Sequence, residues 1–86
     1  MIRPSNLSID MTKKLGSGTY AQVFEGTYLG TNVAVKCFTK EDPKCLKAYN
    51  IEMEVLSWMR LNGTHPNLIH MFGGFQDQKS CYMVLE

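Results

Sequence analysis

Several features that define common protein classes are missing from the sequence. No apolar run approaches the ~18 residues that a membrane-spanning helix needs. The N-terminal residues 1–6 have no apolar stretch of the kind found in signal peptides. The formal net charge is only +1, so the composition indicates neither a nucleic-acid-binding surface nor a polybasic membrane segment. Internal repeats and low-complexity segments are absent as well.

Cysteine is scarce, and its spacing carries no metal or redox motif. The three cysteines are Cys37, Cys45 and Cys81, and no Cys-x-x-Cys occurs. An odd number without a pairing pattern predicts reduced thiols, each acting as a small apolar filler. We therefore expect an intracellular protein, located in the cytoplasm.

The remaining composition is that of one small globular domain. The chain has 86 residues, of which 44% are hydrophobic and 20% charged. Its first residues are polar and predict a flexible tail over 1–8. Period-2 patterns and turn residues predict strands, and Asp42-Pro43 predicts the start of a helix that continues to about Leu61. The expected fold is α+β, with one long helix and five antiparallel strands over 9–15, 23–28, 33–38, 68–75 and 80–85.

A glycine-rich turn, Gly16-Ser17-Gly18-Thr19-Tyr20-Ala21, joins the first two predicted strands. Glycine lets a backbone turn sharply and approach a ligand, and successive exposed N–H groups can cradle phosphate oxygens. In dinucleotide-binding folds such a loop opens a helix, whereas here the β-branched and aromatic run Val23 to Tyr28 follows. The sequence therefore favours a β-hairpin whose glycine-rich turn covers the phosphates of a ligand. The alternative is an ordinary glycine-rich hairpin without a ligand.

Lys36 lies in Val33-Ala34-Val35-Lys36, thirteen residues after Val23. Side chains two apart share a face of a strand, so Ala34 and Lys36 point the same way. A small residue leaves room for a flat base, and the lysine supplies a charge for phosphates. The alternative is a solvated lysine on a strand, which is the commoner environment of this residue.

The helix offers two glutamates as partners for Lys36. At about 100° per residue, Glu52 falls within an apolar stripe, whereas Glu54 lies about 200° away. The stripe comprises Cys45, Ala48, Tyr49, Val55, Leu56 and Met59. Because a carboxylate in an apolar stripe is costly unless it is paired, we predict that Glu52 pairs with Lys36 and that Glu54 faces solvent.

The order of these motifs resembles the N-terminal lobe of the eukaryotic protein kinases, and the resemblance covers 9–86. The motifs, in chain order, are a glycine loop, Val-Ala-Val-Lys, a helix with an inward Glu, His65-Pro66-Asn67 and a final Val-Leu-Glu. It implies that Lys36 and Glu52 are catalytic and that ATP binds with Mg²⁺, so that its γ-phosphate is transferred to a serine or threonine hydroxyl of a protein in preference to a tyrosine hydroxyl. The implied ATP-binding residues are Leu15, Gly16, Ser17, Gly18, Thr19, Tyr20, Ala21, Val23, Ala34, Lys36, Leu85 and Glu86.

The sequence also departs from that family. Ala21 replaces the third loop glycine, and the 86 residues stop at the hinge, without the His-Arg-Asp and Asp-Phe-Gly motifs. The catalytic Asp and the metal ligands belong to the missing lobe. The short turn Gly30-Thr31-Asn32 resembles the tyrosine-kinase-like group of serine/threonine kinases. Two hypotheses follow: the ATP-binding lobe of an active kinase, inactive by itself, or a non-catalytic pseudokinase or interaction module.

Overall fold

In the computed structural model, which describes residues 2–62 and 70–86, an antiparallel sheet carries one long helix on one face. Strands β1 (Leu7–Ser17), β2 (Gln22–Tyr28) and β3 (Thr31–Thr39) precede helix α1 (Pro43–Leu61), and β4 (Met71–Gln76) and β5 (Ser80–Leu85) follow it. The five strands are ordered β1-β2-β3-β5-β4, and every neighbouring pair is antiparallel. This is the α+β architecture that the sequence predicts.

Helix α1 begins where the sequence indicates. The side chain of Asp42 accepts a hydrogen bond from the backbone N–H of Lys44 (2.9 Å), and Pro43 occupies the first helical position. The helix ends at Leu61, and the amide side chain of Asn62 donates to the carbonyl oxygen of Trp58 (2.9 Å). Within the described part of the chain, no helix is long and apolar enough to cross a membrane.

Alternation along the strands produces two apolar faces on the sheet. The inner face packs against α1 through the buried residues Phe38, Tyr49, Met71, Cys81 and Met83. The outer face holds a second cluster of Ile2, Val33, Val35 and Val84. Its three valines come from the paired strands β3 and β5, with Val35 opposite Val84, and Ile2 comes from the segment before β1. The sheet is therefore buried from both sides at its centre.

The structure differs from the expected element limits in several places. Residues 2–8, expected to belong to a flexible tail, are ordered on the sheet. Pro4–Asn6 form a 3₁₀ turn, β1 starts at Leu7, and Ile2 is buried against Gly73. Burial of Ile2 on an apolar sheet face outweighs the polar character of its neighbours. β4 starts at Met71 instead of residue 68 and continues through Gly73-Gly74 with a register shift. The expected His65-Pro66-Asn67 turn lies outside the described residues.

One residue of the predicted helix stripe is misplaced. Val55 was expected on the packed face, yet it is 46% exposed, whereas Met53 packs against the inner cluster. The packed face is centred on Tyr49 and Leu56, and Val55 is rotated from Leu56 by about 100°. The predicted stripe, which has seven residues when Glu52 is counted, is broader than the inner face of the sheet. Val55 at one edge of the stripe therefore stays exposed to solvent.

Candidate functional site

A cavity of about 610 Å³ opens between the β1–β2 turn, the inner face of the sheet and the first half of α1. The turn forms its roof, β2 and β3 form one wall, and α1 closes one side. It is lined by Gly16, Ser17, Gly18, Thr19, Tyr20, Ala21, Val23, Lys36, Phe38, Ala48, Ile51 and Glu52. The cavity thus brings together the glycine turn, the strand lysine and the helix glutamate, which are far apart in sequence.

The glycine turn is a hairpin loop, as the β-rich sequence after it predicts. The N–H of Gly18 donates to the carbonyl oxygen of Ala21 (2.8 Å), which closes the loop between β1 and β2. A Cβ atom at Gly16 would meet nothing within 4 Å, and one at Gly18 only the Ala21 carbonyl at 4.0 Å. The fold itself has room for larger residues at both positions. The open space fits a ligand that approaches the backbone closely.

Lys36 and Glu52 form the predicted ion pair. The ammonium nitrogen Nζ of Lys36 lies 2.7 Å from Oε1 of Glu52. Glu54, two residues further along α1, is exposed. The prediction from the helix face is therefore confirmed for both glutamates. A charge-assisted hydrogen bond of this length orients the lysine side chain within the cavity.

The lysine is held from two directions and stays accessible. Its Nζ is 5.4 Å from the ring centroid of Phe38, a cation–π distance. The side chains of Lys36 and Glu52 are 28% and 40% exposed, so the pair is only partly withdrawn from solvent. An ammonium group has three N–H donors, and in the described residues Glu52 is its one hydrogen-bond partner. Lys36 therefore has donors left for an anion entering the cavity.

Four of the residues predicted for the site do not line the cavity. Leu15 is 58% exposed at the end of β1. Ala34 and Leu85 are directly opposite each other on the inner face of β3 and β5, beyond the cavity wall. Glu86 follows β5, and its backbone N–H donates to the carbonyl oxygen of His70 (2.8 Å). Ala34 and Lys36 do share a face, because both pair with inner-face residues of β5.

Three lining residues were missed by sequence reasoning: Phe38, Ala48 and Ile51. Phe38 is two residues after Lys36 on β3, so strand alternation alone was enough to place it on the same face. Ala48 lies one helical turn before Glu52, which also puts it beside the site. Ile51 is 51% exposed, and no sequence signal separates it from a surface residue.

Carboxylates are sparse around the cavity. Residues 2–62 and 70–86 contain no group of three or more His, Cys, Asp or Glu side chains arranged to hold a metal ion. Glu52, the one carboxylate among the described residues that line the cavity, is already hydrogen-bonded to Lys36. A hard cation such as Mg²⁺ prefers several oxygen ligands. It would therefore depend on oxygens that come from a bound phosphate or from another part of the protein.

Comparison with known proteins assigns the chain to a protein family. The family model of the protein kinase domain matches residues 9–86. The chain belongs to the protein kinase family. Its β1–β5 sheet and α1 have the architecture of the N-terminal lobe of that domain. The glycine turn, Lys36 and Glu52 all fall within the matched residues.

Curated relatives include kinases with different named specificities. The RasGEF domain-containing serine/threonine-protein kinase X of Dictyostelium discoideum is 34% identical over 80 residues, covering 92% of this chain and 8% of its own. The tyrosine-protein kinase Abl of Drosophila melanogaster is 35% identical, with 91% and 5% covered. CBL-interacting protein kinase 20 of Oryza sativa is 36% identical, with 90% and 17% covered. The chain therefore spans a small part of the length of these kinases.

Proposed function

We propose that this chain is the ATP-binding lobe of a protein kinase that transfers the γ-phosphate of ATP to a serine or threonine hydroxyl of a protein. The observation that carries the proposal is the 2.7 Å Lys36–Glu52 pair, which lines a cavity together with the glycine turn. In kinases a lysine on the third strand contacts the α- and β-phosphates and is held by a helix glutamate. Serine/threonine specificity is supported by the names of relatives such as the Dictyostelium kinase.

ATP and Mg²⁺ are the expected ligands of this site. The turn backbone and the Lys36 ammonium supply hydrogen-bond donors and positive charge for phosphate oxygens. Val23 offers an apolar surface at the cavity wall for the adenine ring. Mg²⁺ would be held by phosphate oxygens of the bound nucleotide and by ligands from another part of the protein, and it would supply further positive charge for the phosphates. The three free thiols of the chain further support a reducing, cytoplasmic location.

The 86 residues by themselves should bind ATP weakly and transfer no phosphate. The glycine turn, Lys36 and Glu52 form one wall of a nucleotide site, whereas the catalytic Asp and metal ligands of kinases lie in the other lobe. We expect a dissociation constant on the order of 1 mM, corresponding to about −4 kcal/mol. A radiolabelled ATP assay with Mg²⁺ and a generic protein substrate should give no transfer that depends on Lys36.

Titration of the purified chain with a fluorescent ATP analogue tests the binding step. Lys36→Met should weaken binding by at least about tenfold, equivalent to ~1.4 kcal/mol, because a charge partner of the phosphates is removed. Lys47→Met is the matched control, since Lys47 is exposed on α1 and away from the cavity. Equal affinities for the two variants would remove Lys36 from the nucleotide site.

A second candidate is a non-catalytic module that binds another protein. It is favoured by an exposed apolar patch on α1 that consists of Ile51, Val55 and Trp58, whose side chains are 46–59% exposed. Exposed patches of this kind often mark contact surfaces. The two candidates differ in the full-length gene product: His-Arg-Asp and Asp-Phe-Gly motifs, with activity lost on Lys36→Met, support the kinase.

A further inference from the structure

We infer that Gly74 on β4 and Tyr49 on α1 are positioning residues for the Lys36–Glu52 pair: their contact sets how closely α1 approaches the sheet. Lys36, Met83 and Gly74 form a transverse row on the inner face, since Met83 pairs with Lys36 on one side and with Gly74 on the other. α1 packs over this row. Glu52 meets the sheet at the Lys36 end, and Tyr49 meets it at the Gly74 end.

The contact at Gly74 leaves no room for a side chain. A Cβ atom there would lie 2.6 Å from the hydroxyl oxygen of Tyr49, 3.0 Å from Cε of Met53 and 3.0 Å from the carbonyl oxygen of Tyr82. The first distance is well inside the 3.4 Å at which ordinary van der Waals contact begins. Gly74 does not adopt a left-handed φ, so its backbone conformation does not call for glycine. Glycine is required at this position because α1 approaches the strand closely.

Tyr49 cannot yield easily to such a Cβ atom. Its side chain is only 5% exposed, and its ring makes an edge contact with Phe38, with 5.4 Å between the centroids. Protein interiors are close-packed, so a buried ring has little space to rotate away. Met53 differs, because the clashing atom is the end of a flexible chain. The contact with the Tyr82 carbonyl lies within the sheet, so the strain that reaches α1 falls on Tyr49 and through it on the helix backbone.

A displacement at Tyr49 reaches Glu52 directly. The two residues are three apart on α1, so they lie on adjacent turns of the same face. Phe38, which contacts the Tyr49 ring, also lies 5.4 Å from the Lys36 ammonium. If α1 lifts or tilts over the sheet, Glu52 moves away from Lys36 and the 2.7 Å bond is lost. In the absence of this clash, alanine would be favoured over glycine within a strand.

Carbodiimide cross-linking tests this geometry on the purified 86-residue chain, because the reagent joins an amine to a carboxylate only when the two are in contact. Mass spectrometry measures the yield of the Lys36–Glu52 amide. Gly74→Ala should lower that yield by roughly fivefold or more, since a carboxylate moved beyond ~3.5 Å no longer forms a hydrogen bond. Lys36→Arg and Glu52→Gln give the background, as neither can form this amide.

The double variant Gly74→Ala/Tyr49→Phe separates helix position from strand damage. Removing the Tyr49 hydroxyl relieves the shortest contact, so the cross-link should return to at least half of the wild-type yield, and Tyr49→Phe alone should behave like wild type. If Gly74→Ala unfolds while the double variant folds and cross-links, the inference is equally supported. A wild-type yield in Gly74→Ala, or the same loss of yield or of folding in both variants, would overturn it.

The significance of this contact for catalysis rests on the proposed function, but its test does not. Cross-linking uses no nucleotide, so a chain that fails to bind ATP still reports the position of α1. Failure of ATP binding with the expected cross-links would contradict the proposed function alone. Normal ATP binding with unaltered cross-links in Gly74→Ala would contradict the role of Gly74 alone.

Discussion

The Lys36–Glu52 ion pair should contribute little to folding, although it is central to the site. At an effective dielectric constant near 20, unit charges ~4 Å apart attract by about 4 kcal/mol, before desolvation and side-chain ordering are subtracted. The side chains are 28% and 40% exposed, which moves the pair toward the surface regime. Measured pairs of that kind contribute 0.2–1 kcal/mol. We therefore expect a coupling energy of about 1 kcal/mol.

A double-mutant cycle measures this coupling. The free energy of unfolding is obtained from urea titrations of wild type, Lys36→Met, Glu52→Gln and the double variant. Glu52→Gln is isosteric, and Lys36→Met keeps an unbranched chain that is one atom shorter, so packing changes little. Repeating the cycle in about 1 M salt should reduce the coupling, because the Debye length falls to ~3 Å.

Lys47→Met and Glu54→Gln form the matched control cycle. Both residues are exposed on α1 and are seven positions apart, so their effects should add within about 0.5 kcal/mol. A coupling above ~3 kcal/mol between Lys36 and Glu52 would refute the reasoning. It would mean that the pair behaves as buried and that α1 depends on it for docking.

Three further predictions concern other parts of the fold. The carboxylate of Asp77 accepts hydrogen bonds from the backbone N–H groups of Lys79 and Ser80, which lower its pKa. Its stabilising effect is therefore present above the unfolded pKa of ~3.9 and lost as pH falls through the lower folded value, so Asp77→Ala should flatten the acid limb of a pH–stability curve. Burial raises the pKa of the Cys37 thiol to about 11, so at pH 8 iodoacetamide should alkylate it roughly a hundredfold more slowly than in the urea-unfolded chain. Phe38 is 1% exposed, and Phe38→Ala should cost ~3–5 kcal/mol, enough to unfold so small a domain in a thermal melt.

Local patterns were sufficient for most of the elements. The limits of α1 agree with the prediction because Asp42, Pro43 and Asn62 act on the helix backbone nearest to them, and the limits of β5 agree as well. The choice of Glu52 over Glu54 also followed from helical periodicity. β1 was predicted two residues too short at each end, since Leu7 and Ser17 extend the strand by pairing with β2. Pairing partners of this kind are supplied by the fold.

Long-range contacts decided the remaining features. Nothing in the polar N-terminal segment indicates that Ile2 packs on the outer face of the sheet, since that site exists only after β3, β4 and β5 have paired. Val55 faces solvent because the inner sheet face is narrower than the apolar stripe of α1. The exclusion of a side chain at Gly74 also follows from tertiary contacts, of which the approach of the Tyr49 hydroxyl is the shortest.

The sequence by itself therefore determined which elements form and which charged side chains form an ion pair, because propensity, capping and periodicity act over a few residues. The tertiary structure alone decided the width of the packed helix face, the covering of the outer sheet face and the 2.7 Å separation of Lys36 and Glu52. These depend on how closely α1 and the sheet can pack, which is set by side chains far apart in the chain.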